Sequence, residues 1–64
     1  MVTINGESVD ADAKTVTAYL AGHGYDVARV AIELNGVILP KVAYGETVMK
    51  TDDVVEIVAF VRGG

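Results

Sequence analysis

Apolar and polar residues alternate along two stretches of the chain, and an Asn-Gly pair interrupts each stretch. Both central residues of a type I′ turn need positive φ, which Gly adopts freely and Asn better than most residues. The pattern therefore predicts two β-hairpins, with turns at Asn5-Gly6 and Asn35-Gly36. Their strands would be residues 1–4 with 7–9, and residues 30–34 with 37–39.

A short apolar stripe at helical spacing lies between the hairpins. Val16 and Leu20 are four residues apart, and Tyr19 lies beside them on the same side. This spacing predicts one amphipathic helix, from about Thr15 to His23.

The ends of this helix carry residues that suit a start and a stop. Asp12 or Thr15 is expected to cap the start, because a side-chain oxygen there accepts from backbone N–H groups that lack partners. Gly22 and Gly24 are expected to stop the helix. His23 lies between them and is the chain's one histidine. We interpret it as a capping or solvated residue and not as a catalytic base or metal ligand.

The remainder of the chain reads as a turn followed by a final strand. Pro40 has no N–H for a sheet ladder and should end the fourth strand. Tyr44 and Val48 indicate one helical turn. Asp52-Asp53 resembles a metal or acid-base pair, but adjacent carboxylates before a strand are usually solvated turn formers. The last strand should then run from Val54 to about Phe60.

The final strand has one face that is wholly apolar and one that is mixed. The odd positions, predicted to face the core, are Val55, Ile57, Ala59 and Val61. The even positions, predicted to face outward, are Val54, Glu56, Val58, Phe60 and Arg62. Exposed apolar side chains near the end of a chain suggest a docking patch, so Val58 and Phe60 are candidate partner-binding residues.

The order of elements is ββαββ, with a short late helical turn. A helix between two hairpins carries the chain across the sheet, so a central pairing of the first and last strands satisfies the connectivity. We therefore predict an α+β, ubiquitin-like β-grasp fold, a mixed sheet packed on one helix. Residues 1–64 would form one domain, with 61–64 as a flexible tail. A small open barrel is the alternative.

Composition and charge narrow the possible functions. The chain has 64 residues, no cysteine, one histidine and a net charge of −4. It therefore has no disulfide, no thiolate nucleophile and no structural zinc set. A chain this short buries only about 60% of its unfolded surface, which leaves little material for a deep catalytic cleft.

The same properties bear on partners and location. Negative charge repels nucleic-acid backbones and anionic lipid, and it suits a basic partner surface. The densest apolar stretch, Val54 to Val61, is far shorter than the roughly 20 residues that span a bilayer. The first residues lack the features of a signal peptide. We expect a cytoplasmic protein that binds neither nucleic acid nor membrane.

The chain ends in Arg62-Gly63-Gly64, directly after the last predicted strand. A carboxylate becomes a good electrophile once it is activated as an acyl-adenylate, and the activating enzyme must reach it through a narrow cleft. Glycine lacks Cβ and lets another backbone approach closely. A frayed terminus is the other interpretation of these glycines.

These features together resemble the ubiquitin-like sulfur carriers of bacteria, most closely the ThiS family of thiamine biosynthesis. The resemblance rests on residues 32–36, Leu39-Pro40, residues 52–58 and the final Gly63-Gly64, in this order. One departure is Thr51-Asp52-Asp53, where the family commonly has Gly between two acidic or polar residues. It affects a turn and leaves the tail chemistry unchanged.

The resemblance implies a protein co-substrate that is not itself an enzyme. An E1-like adenylating enzyme of the ThiF type would activate Gly64 with ATP, and a sulfur donor would convert it to a thiocarboxylate. A thiazole synthase of the ThiG type would receive the sulfur. Gly63 and Arg62 would give the partners access to the tail, and no cofactor would be bound. The alternatives are a carrier for molybdopterin or another pathway, and a β-grasp binding module whose glycines are incidental.

Overall fold

The computed structural model describes residues 1–60 and contains the predicted elements in the predicted order. The strands are β1 Val2–Ile4, β2 Glu7–Val9, β3 Val30–Leu34, β4 Val37–Leu39 and β5 Val54–Ala59. The helix α1 is Val16–Gly22, and two short 3₁₀ helices are Val27–Arg29 and Lys41–Ala43. The first of these 3₁₀ helices has no counterpart in the sequence prediction.

Both Asn-Gly pairs form the predicted hairpin turns. Asn5 and Gly6 have φ values of 50° and 84°, and Asn35 and Gly36 have 52° and 84°. Positive φ at both central positions is what a type I′ turn requires. Each turn therefore joins two antiparallel strands, β1 to β2 and β3 to β4.

The five strands form one mixed sheet in the order β2-β1-β5-β3-β4. The predicted central pairing is confirmed, because β5 lies between β1 and β3, parallel to the former and antiparallel to the latter. With one helix packed on it, this sheet is the expected β-grasp arrangement and not an open barrel. The last strand thus occupies the middle of the sheet, where it is held on both sides.

Helix α1 is capped by Thr15, as one of the two predictions stated. Its Oγ1 accepts from the Ala18 N–H at 3.1 Å, and His23 occupies the C-cap position. The alternative cap, Asp12, is wrong. Its carboxylate instead accepts from the Thr51 hydroxyl and lies 3.0 Å from the Met1 amino group. These contacts tie the start of the chain to the turn before β5.

The late helical turn lies earlier than predicted. The 3₁₀ helix begins right after Pro40, whose fixed φ of −68° suits a helical start. Tyr44 is buried after the last 3₁₀ residue, and Val48 is extended and forms an isolated bridge with Thr15. The apolar spacing of Tyr44 and Val48 therefore reflects core packing by Tyr44 and not a shared helical face.

The core lies between α1 and the inner face of the sheet. Its largest fully buried side chains are Leu20, Ile32, Met49, Val2, Val30 and Val55. Val55 and Ile57 are buried as predicted, but Ala59 is exposed, because β5 ends there and a methyl group reaches little of the core. Val61, the fourth predicted core residue of this strand, lies outside the described residues.

No helix within residues 1–60 is long and apolar enough to cross a membrane.

Candidate docking face and carboxyl-terminal segment

The outer face of the sheet, turned away from α1, carries exposed apolar side chains. Val58 is 55% exposed and Phe60 57% exposed, so both project outward as predicted. Ile38, on β4, is 71% exposed on the same face. We call Ile38, Val58 and Phe60 the outer patch. Single exposed apolar residues are ordinary, but a group on one face is typical of an interaction site.

The strand register explains why these residues lie together. Val58 is paired with Ala31 on β3, and Ile38 is paired with Glu33 on the other side of the same strand. Side chains alternate between faces along a strand, so all of these residues point away from the core. Ile38 and Ala31 were missed by sequence analysis, because only the pairing of β3 with β5 brings them to Val58.

Phe60 is held at the end of β5 although it lies outside the strand. Its N–H donates to the carbonyl oxygen of Arg29 at 2.7 Å. This bond holds the backbone at the last described residue, and the alternation of the strand places Phe60 on the same face as Val58. Arg62, Gly63 and Gly64, the predicted tail residues, lie outside the described part of the chain.

Two asparagine side chains hold β5 in place, a role that sequence analysis did not assign to them. Asn5 accepts from the Ile57 N–H at 2.7 Å and donates to the Ile57 carbonyl at 3.2 Å. Asn35 accepts from the Val54 N–H at 2.8 Å. Both residues sit in the predicted hairpin turns, where their side chains act as extra strand partners. They anchor the strand that precedes the tail.

The remaining candidates have structural roles. His23 Nδ1 lies 2.9 Å from the Tyr19 carbonyl oxygen, and its ring stacks on Tyr19 with centroids 4.0 Å apart. Asp53 accepts from the Lys50 N–H at 2.9 Å and from the Asn35 side chain at 3.1 Å. The interpretations of His23 as a helix-end residue and of Asp52-Asp53 as a turn are thus confirmed. Among residues 1–60, no three His, Cys, Asp or Glu side chains are grouped to hold a metal ion.

The sheet order, helix α1 and the two tight hairpins define a small ubiquitin-like β-grasp protein. The chain belongs to the ThiS family, whose sequence profile matches residues 1–64. The resemblance drawn from the sequence is therefore confirmed.

A solved relative agrees with this assignment. The crystal structure of a thiamine biosynthesis protein (ThiS) from Geobacter metallireducens superposes with a TM-score of 0.77 at 36% identity. The match covers 98% of this chain and 97% of that one. The two proteins therefore share the fold over nearly their whole length.

Two curated relatives are much longer proteins. The chain is 42% identical over 64 residues to a thiazole synthase of Paramagnetospirillum magneticum. It is 36% identical over 64 residues to a thiazole synthase of Magnetococcus marinus. Each match covers 98% of this chain but 20% of the relative, so the chain spans about a fifth of their length.

Proposed function

We propose that the protein is a sulfur carrier of thiamine biosynthesis that transfers sulfur as a thiocarboxylate on Gly64. The observation that carries this proposal is the match to the ThiS family across residues 1–64, which includes Gly63 and Gly64. The similarity to a solved thiamine biosynthesis protein over nearly its full length supports the same pathway. A carrier for molybdopterin synthesis is the alternative that the test below separates.

The proposed chemistry takes place at the carboxylate of Gly64. An E1-like, ThiF-type enzyme would join one carboxylate oxygen to the α-phosphorus of ATP and release pyrophosphate. Hydrosulfide released by the sulfur donor would then attack the carbonyl carbon, displace AMP and lose its proton, which leaves a thiocarboxylate on Gly64. The C–O bond to phosphate breaks as the C–S bond forms, and no electrons are gained or lost. Use of ATP fits the predicted cytoplasmic location.

A ThiG-type thiazole synthase is the proposed acceptor. Two thiazole synthases each contain a segment similar to this whole chain within a polypeptide about five times as long. The presence of a carrier-like segment within a synthase polypeptide supports a functional interaction between the carrier fold and the synthase. In this scheme the protein binds no cofactor of its own and is a substrate for both partners.

The outer patch is the proposed docking surface for these partners. Two of its residues, Val58 and Phe60, come directly before the tail in the chain, and β5 is held on both sides by β1 and β3. A partner that binds a rigid strand can also position the residues that follow this strand in the chain. Gly63 would let that partner's backbone approach closely, and Arg62 would add a positive charge within the tail.

We expect Phe60→Ala to weaken the complex with the adenylating enzyme and to leave folding largely intact, because the ring is 57% exposed. Truncation of an aromatic residue at the energetic centre of an interface costs about 2 kcal/mol or more, roughly a thirtyfold loss of affinity. The measurement is titration calorimetry beside thermal unfolding. Val37→Ala is the matched control, because Val37 is 68% exposed and its register places it on the opposite face. A large loss of stability with unchanged binding would overturn the assignment.

The proposed chemistry is tested by mass spectrometry of the intact protein after incubation with ATP, a sulfur donor and host extract. Fragmentation must place the exchange of oxygen for sulfur at Gly64, because oxidation of Met1 or Met49 adds nearly the same mass. A variant with one residue appended after Gly64 should stay unmodified. Sulfur transfer to the thiazole product, and not to molybdopterin, identifies the pathway. An unmodified Gly64 in an extract that activates a known carrier would favour a binding module.

A further inference from the structure

Two carboxylates lie directly opposite each other on the outer face of the sheet. Glu33 of β3 and Glu56 of β5 are paired in the antiparallel register, and both are exposed. Like charges directly opposite each other on neighbouring strands destabilise a sheet. No salt bridge within residues 1–60 involves either of them. We expect the two carboxylates to repel each other in the free protein, and a cation from a partner would relieve that repulsion.

The acid pair borders a depression in the same face. Its volume is about 280 Å³, and it is lined by Ala31, Ile32, Glu33, Ile38, Glu56 and Val58. The lining combines apolar walls with two carboxylates. An arginine side chain fits this combination, since its aliphatic stem packs on apolar surface and its planar guanidinium donates to carboxylates. The net charge of −4 further favours a basic partner surface.

We propose that this depression receives an arginine side chain of the thiazole synthase, with the guanidinium between Glu33 and Glu56. The inference rests on the proposed function for the identity of the partner, and on the strand register and the depression for the chemistry. Ile38 and Val58, which flank the acids, would contact apolar neighbours of that arginine. The outer patch would thus supply contact area, and the acid pair would select the partner by charge.

Binding of the purified thiazole synthase from the same organism tests this inference. We expect Glu33→Gln and Glu56→Gln each to weaken binding by about tenfold, because each leaves the guanidinium with one carboxylate. The double variant should also lose most of the salt dependence of the affinity, which titrations at low and high ionic strength measure. Glu46→Gln is the control. It removes the same charge from a different loop, whose backbone carbonyl groups accept from the first N–H groups of α1.

Thermal unfolding of the free variants provides the second measurement. Removing one carboxylate relieves the repulsion, so Glu33→Gln and Glu56→Gln should unfold at a higher temperature than the parent protein. Higher stability together with weaker binding separates recognition from a simple folding defect. Unfolding midpoints at or below the parent value would contradict the repulsive pair.

The outcomes separate this inference from the proposed function. Unchanged affinity and salt dependence in the double variant would overturn the acid-pair inference, and so would a parent protein that does not bind the synthase. If the parent protein and the double variant both acquire the Gly64 thiocarboxylate, the proposed function stands, whether or not the acid pair contributes to binding. An unmodified Gly64 in the parent protein counts against the proposed function alone.

Discussion

Among residues 1–60, four residues other than glycine have positive φ. They are Asn5 at 50°, Ala13 at 69°, Asn35 at 52° and Asp52 at 75°. Asn and Asp tolerate this region because their short polar side chains bond locally, whereas the Cβ of alanine crowds the following carbonyl. Ala13 is held there by its N–H, which donates to the Met49 carbonyl at 2.9 Å. The long-range contact therefore outweighs a local strain.

Ala13→Gly is expected to stabilise the protein. Relief of the left-handed strain raises the free energy of unfolding by about 1–2 kcal/mol. The greater freedom of glycine in the unfolded chain offsets part of this increase, so the net stabilisation should be about 1 kcal/mol. Chemical denaturation measures the change. Ala21→Gly, at an exposed helical position, is the matched control and should lose about 1 kcal/mol. Equal losses in both variants would show that Ala13 is not strained.

Asp52 lies in the turn before β5 with a φ of +75°, a conformation that glycine adopts freely and that Asp tolerates better than most residues. The sequence alone could place a turn at residues 51–53. It could not show that the middle residue is left-handed, because Asp occurs in several turn types whose φ signs differ.

At the scale of elements, the hairpin turns do more than reverse the chain. Asn5 bonds both backbone groups of Ile57, 52 residues away, and so extends the parallel ladder between β1 and β5. Asn35 makes the corresponding contact at the start of β5. The Asn-Gly signal predicted the turns from local chemistry. These anchoring contacts were not predictable, because they depend on which strand lies beside each turn.

We expect Asn5→Gly to cost more stability than Asn35→Gly. Glycine keeps the positive φ without strain, so each variant isolates the lost side-chain bonds. The Asn5 bonds are partly buried, whereas the Asn35 bonds are exposed to water, which replaces lost partners. Two lost bonds at Asn5 should cost about 1–3 kcal/mol, and those at Asn35 clearly less. Denaturant unfolding of the two variants decides the order, and a larger loss at Asn35 would contradict this account.

At the scale of the whole molecule, the strand order could be predicted from the sequence. The set of residues that meet on the outer face of the sheet could be predicted only in part. Two hairpins linked by one helix leave the middle of the sheet for the last strand, and β5 occupies it. Alternation along β5 predicted the exposure of Val58 and Phe60. Ile38 and the opposed Glu33 and Glu56 required the register between strands that are distant in the chain. Periodicity assigns a residue to a face but does not identify its neighbours across the sheet.

The contacts of Asp12 should make the stability of the whole fold depend on pH. The Thr51 hydroxyl, and after it the Met1 amino group, hold the pKa of the Asp12 carboxyl below its ordinary value. A carboxyl whose pKa is lower in the folded than in the unfolded chain stabilises the fold above the unfolded pKa of about 3.9. That contribution is lost as the pH falls through the folded pKa, where the group becomes protonated in both states.

Asp12→Asn should therefore lower the unfolding midpoint at pH 6, and the difference from the parent protein should shrink steadily as the pH approaches about 3. Thermal unfolding across this range measures it. Asp10→Asn changes the same charge at an exposed position two residues away. A similar loss in that control would show that net charge sets the effect. A loss confined to Asp12 would mean that its contacts join the start of the chain to the turn before β5, and so support the strand that precedes the tail.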